Sequence, residues 1–90
     1  MATQAPSGHL EELAGRLSRE GIYTRLEEPL GKPPILHVLN PQLPAAEEPV
    51  IVESTGDEAW FWWAWAERIA PARDLDTAVS GIRRVLGLAA

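Results

Sequence analysis

The chain has 90 residues, none of them Cys, and its thirteen acidic against eight basic side chains set a formal net charge of −5. That length suits one domain with a thin core, and without Cys neither a disulfide nor a thiolate metal site can reinforce it. With no basic cluster larger than Arg83-Arg84, a nucleic-acid partner, which needs grouped Lys and Arg against phosphate, is excluded.

Residues 1–6 carry no hydrophobic pattern and read as a flexible N-terminal tail before a single domain over residues 7–88. No charged segment followed by an apolar core marks a signal peptide, and no apolar run approaches the ~20 residues of a membrane span. The expected setting is cytoplasmic, with no membrane partner. Ser7 is a fitting N-cap. Leu10, Leu13, Ala14 and Leu17 then recur at helical spacing, which predicts a helix from Gly8 to Glu20 with Gly21 as its stop.

From Ile22 to Glu27 the pattern alternates, with Ile22, Thr24 and Leu26 on one side, as in a half-buried strand. A second strand is expected over Ile35–Asn40. Pro41 to Pro49 reads as a proline-bracketed acidic loop, and Val50–Glu53 as a short third strand. A Gly-containing turn leads into Trp60-Phe61-Trp62-Trp63-Ala64-Trp65-Ala66, which holds all four Trp of the chain. Thr55 and Glu58 could form the capping box of a helix. A helix here would be aromatic around its whole circumference, so a fourth strand is the better reading. Pro71 interrupts the pattern. Asp74 then caps a last helix, with Leu75, Ala78, Val79, Ile82, Val85 and Leu86 as its apolar stripe and Gly87 as its end.

The predicted architecture is α+β, a two-layer sandwich in the order αββββα, with two helices covering one face of a four-stranded antiparallel sheet. Strand alternation sorts the aromatic run into Phe61, Trp63 and Trp65, assigned to the helix-facing core, and Trp60, Trp62, Ala64 and Ala66 on the other face. Helices cover only one side, so Trp60 and Trp62 must meet something else. Candidates are the Pro41–Pro49 loop folded over them, a second copy of the chain, a protein or peptide partner, or a small molecule in an aromatic pocket. Trp is favoured at binding hot spots for its large area and few rotamers.

Reactive constellations are scarce. The sequence has no Gly-rich phosphate loop, no His-Glu-x-x-His helix and no nucleophile elbow. His9 is expected to be solvated. His37 lies mid-strand beside Ile35 and Leu39, and would need a nucleophile and an orienting acid to act as a base. Ser54 and Glu53 could serve only in one particular register of the second and third strands. The acidic pairs Glu11-Glu12, Glu27-Glu28 and Glu47-Glu48 read as solubility charges. No catalytic residue, metal site or cofactor is therefore expected.

The run from Trp60 to Ile69, with Leu36-His37-Val38-Leu39-Asn40-Pro41, resembles a group of small hypothetical actinobacterial proteins over about Leu10 to Leu86. That resemblance implies no activity. In build, a small acidic α/β chain able to dimerise, the protein is also similar to type III secretion chaperones, which implies an extended client segment held on the sheet or helix surface. Those chaperones place an extra helix between strands, and none is readable here. The expected function is a non-enzymatic protein- or peptide-binding domain, chaperone-like or regulatory, working as a homodimer or with a protein partner. A small-molecule binder with an aromatic pocket is the alternative, and a small enzyme using His37 a second one.

Overall fold

The structure, a computed structural model, describes residues 6–87. The tail expected over residues 1–6 therefore lies outside the described residues except for Pro6, and so does residue 88. Helix α1 spans Pro6–Arg19. It starts earlier than the capping pattern at Ser7 suggests, because Pro is well tolerated in a first helical turn, where its missing N–H has no partner to lose. Leu10, Leu13 and Leu17 are fully buried along one face. Gly21 takes a left-handed φ of 81°. The chain can then fold back so that the Ile22 N–H donates to the Leu17 carbonyl at 3.0 Å, which seats Ile22 in the core.

Five strands follow, where four were expected: β1 Tyr23–Glu27, β2 Ile35–Asn40, β3 Leu43–Thr55, β4 Glu58–Trp63 and β5 Glu67–Pro71. They form one open sheet in the order β1-β2-β3-β4-β5, every neighbouring pair antiparallel. Helix α2, Leu75–Leu86, closes the chain.

Two corrections to the expected layout bear on function. First, the segment from Pro41 to Pro49 is not a loop across the sheet. Only Pro41 and Gln42 turn, and β3 runs on for 13 residues. Pro49 can lie within it because a strand residue's N and C=O point to the same side. The Pro49 carbonyl accepts from Ala64 N–H at 3.0 Å, so its missing donor faces the end of β4 and costs no bond to β2.

Second, the aromatic run is not one strand. β4 ends at Trp63, and Ala64, Trp65 and Ala66 form a turn that starts β5. Ala66 N–H donates to the Trp63 carbonyl at 2.9 Å, and Ala66 has a φ of 75°. This matches a three-residue hairpin loop that closes on a left-handed residue. β5 gains one further irregularity: Phe61 pairs with Ala70 and Trp62 with Arg68, leaving Ile69 as a bulge. The β3–β4 connection is the tight Gly56-Asp57 turn, Gly56 at φ 63° and Thr55 opposite Glu58. The capping-box reading of Thr55 and Glu58 therefore fails.

The core lies between the helices and one face of the sheet. Leu36, Val38, Val50, Phe61 and Ile82 are all fully buried there with the α1 leucines. Burying a Phe or Leu completely contributes roughly 1.5–3 kcal/mol each. Asp74 caps α2 as expected, accepting from the Thr77 N–H and hydroxyl at 3.2 and 2.7 Å. Gly87 ends it in the left-handed region. Asn40, 5% exposed, ties the layers together. Its Nδ2 donates to the Leu86 carbonyl at 2.9 Å, and its Oδ1 accepts from Gln42 N–H at 2.8 Å. One side chain thus satisfies a terminal helix carbonyl and orders the β2–β3 turn. The described part is α+β, with two helices on one face of an antiparallel sheet.

Candidate functional site

The uncovered face of the sheet carries the candidate site, and alternation decides what it displays. Where Leu36, Val50, Phe61 and Trp63 point to the helices, the residues between them point away. Trp60 and Trp62 both lie on this open face, half-buried. Trp62 stands opposite Ile51 on β3 and Arg68 on β5, and Trp60 opposite Glu53 and Pro71. Trp60, Trp62, Pro49 and Ile51 make an apolar strip across β3 and β4, with Pro71 beside it on β5 and the charges of Glu53 and Arg68 at its rim. The expected placement of Phe61 and Trp63 in the core also holds.

Trp65 departs from expectation. The turn that ends β4 takes it out of the alternation, and it is 48% exposed and not in the core. Its ring stacks on that of Trp63, 4.9 Å between centroids and 3° from parallel, while its Nε1 donates to Glu67 at 3.1 Å. Trp65 therefore covers the end of the core near Trp63. Ala64 and Ala66, also expected on the strand's open face, belong to the same turn.

The Arg68 guanidinium lies over both exposed-face rings, 4.6 Å from the Trp60 centroid and 5.4 Å from that of Trp62. Such a cation held against aromatic faces is favourable by about 0.5–1 kcal/mol at an exposed site. Beneath it the Trp62 indole N–H is shielded from solvent and finds no acceptor among the described residues. Sequence reasoning missed Arg68. The signal available was a base three residues beyond Trp65, which becomes informative only once the turn is known to bring β5 back alongside β4.

A polar cluster occupies the β1–β2 side of the same face. His37 Nε2 lies 2.8 Å from Glu27 Oε1, its Nδ1 lies 3.2 Å from Glu47 Oε1, and Arg25 reaches Glu47 at 3.3 Å. The Glu27 carboxyl is held below its ordinary range, chiefly by the hydrogen bond from His37. Glu27 and Glu47 are thus more than solubility charges, for each fixes one nitrogen of the imidazole. Ser54 and Glu53 do not stand opposite His37: the observed register puts His37 opposite Pro49, with Glu53 opposite Trp60 and Ser54 opposite Ala59. His9, expected in solvent, is half-buried, and its Nδ1 is shielded.

On the helical side, a groove of about 610 Å³ separates α1 from α2. Of the three arginines on its walls, Arg16 pairs with Asp76 and Arg83 with Glu20. It is a joint between two helices held by ion pairs. No group of three or more His, Cys, Asp or Glu among the described residues is arranged to hold a metal ion. No described helix is long and apolar enough to cross a membrane. No family model, curated protein or solved structure matches the chain.

Proposed function

We propose that the protein is a non-enzymatic binding domain whose open sheet face holds an extended segment of a partner protein, with Trp60 and Trp62 as the anchors. One observation carries the reading: both helices pack on the other face, leaving Trp60 and Trp62 side by side on a surface that no described helix or loop covers and over which only the Arg68 side chain lies. Buried interface aromatics supply most of the energy in such contacts. The Pro41–Pro49 segment, expected as a loop that could fold over them, is strand β3 from Leu43 onward.

The chemistry of the occupant follows from the rim. Glu53 and Glu58 flank Trp60 along β3 and β4, and the whole chain is acidic. A segment with an apolar or aromatic anchor and basic flanks is the complement. Arg68 can turn away from the rings to admit the anchor, and a backbone carbonyl of the segment can then accept the Trp62 N–H. The setting in this proposal is cytoplasmic. The likeness to type III secretion chaperones supports it only as architecture, and no helix interrupts the five strands here.

The test is selection of peptides from a random displayed library, followed by binding measured against wild type, Trp60→Ala and Trp62→Ala. The expected peptides carry an aromatic or apolar anchor with Lys or Arg beside it. Their amide-shift perturbations map to β3–β5, and Trp62→Ala loses at least tenfold in affinity while its thermal midpoint holds. A library without enriched binders, or binders mapping to the α1–α2 groove, would sink the proposal.

A further inference from the structure

The two edges of the sheet differ in a way the binding reading does not use. β5 is protected against further pairing: it opens after left-handed Ala66, carries the Ile69 bulge and ends at Pro71. Bulges and prolines are the usual means of blunting an edge. β1 has none of these. Tyr23–Glu27 keeps an unbroken register with β2 over all five residues. Among the described residues it pairs with no other strand, and no turn, loop or cap bond reaches its backbone. The N–H and C=O groups on its outer side therefore have no backbone partner among the described residues. An unprotected strand edge of this kind is a template for another strand.

The side chains of β1 select the occupant. We infer that β1 pairs antiparallel with β1 of a second copy, placing Leu26 opposite its own symmetry mate and Arg25 opposite Glu27 of that copy. In this register both symmetry-related Arg25–Glu27 pairs unite opposite charges, whereas the register shifted by one step sets Arg25 against Arg25. Arg25 and Glu27 both lie exposed on the open face, and Leu26 packs against the core. Arg25, Leu26 and Glu27 then each meet a residue of their own face, so the sheet continues across the axis. The result is a ten-stranded sheet (twice the five strands of one copy), with all helices on one side and both Trp60–Trp62 surfaces on the other. Glu27 would bridge His37 of its own chain and Arg25 of the second. The inference is independent of the peptide-binding proposal, because it uses the edge of the sheet and leaves the Trp face free.

A charge swap tests it. Arg25→Glu gives a chain with two acids at the joint, and Glu27→Arg a chain with two bases. Sedimentation over a concentration series should show the wild type as a dimer, each variant as a monomer, and the equimolar mixture of the two as a dimer again. Hydrogen exchange of the unmodified protein gives a second readout without any substitution: β1 amides should slow as concentration rises, while those of β4 should not. A monomeric wild type at every concentration overturns the inference. So does a dimer that survives both single variants, a mixture that stays monomeric, or protection that grows on Trp60–Trp63 instead of β1. Loss of the dimer in Trp62→Ala with its retention in Arg25→Glu would assign the contact to the Trp face and overturn it as well.

Discussion

Single residues hold this fold at points the sequence marks only faintly. Asn40 is the clearest. Followed by Pro41, it reads as the end of a strand, yet its side chain joins the last carbonyl of α2 to the β2–β3 turn while buried at 5% exposure. Replacing it by Ala would strip partners from a buried carbonyl and a turn N–H, and should cost about 1–3 kcal/mol by urea denaturation. Nothing local could reveal this, since Leu86 lies 46 residues away. Asp74 and Glu27 give the residue scale its pH dependence. Asp74 sits below its ordinary value of 3.8 through the hydroxyl and then the N–H of Thr77, and Glu27 below 4.5 mainly through His37. Both folded values are depressed, so the unfolded chain binds more protons as acid is added. Their contribution is present above the ordinary carboxyl values and is lost as pH falls through the lower, folded ones. Between about pH 5 and pH 2, the urea midpoint of the wild type should therefore fall more steeply than that of Glu27→Gln/Asp74→Asn. Parallel curves would show that neither bond survives in solution.

At the scale of elements, both helices were legible because their signals are local. Leu10, Leu13 and Leu17 recur on one face, and Asp74 and Gly87 bracket α2 as caps should. The strands were legible where alternation is regular, as in β1 and β2, and illegible where it is broken. Pro44 and Pro49 disguise β3, because a Pro argues against a strand unless its N faces away from the ladder. Whether it does depends on where β4 ends. The turn at 64–66 was hidden for a different reason: a left-handed position is normally announced by Gly, and here it is filled by Ala at φ 75°. That conformation costs an L-residue roughly 1–2 kcal/mol. Ala66→Gly removes the Cβ clash but adds freedom to the unfolded chain, so a net gain of about 0.5–1 kcal/mol is expected. The readout is the thermal or urea midpoint. A loss instead of a gain would mean that the Ala66 methyl group makes a contact worth more than its strain.

For the whole molecule, the deciding fact is that two helices can cover only one face of a five-stranded sheet. The sequence carried this consequence without the correct number of strands, since an aromatic strand apolar on both sides must present one side outward. Trp60 and Trp62 could be assigned to the open face from alternation alone, whereas Arg68, Ile51 and Glu53 needed the register that places them opposite. The two faces make opposite demands on adjacent Trp residues, and this can be measured. Trp63 is 2% exposed and stacked under Trp65, so Trp63→Ala opens a core cavity and should cost about 3–5 kcal/mol. Trp62 is only half-buried, and its N–H is shielded without an acceptor. Trp62→Phe keeps most of the apolar contact and removes that unsatisfied donor. It should leave stability unchanged or raise it by up to about 1 kcal/mol, while weakening any bound segment whose carbonyl the indole would have met. Urea denaturation of the two variants side by side checks the first half, and titration of a selected peptide into wild type and Trp62→Phe checks the second. If Trp62→Phe lost as much stability as Trp63→Ala, Trp62 would belong to the core, and the open face would have no anchor to offer.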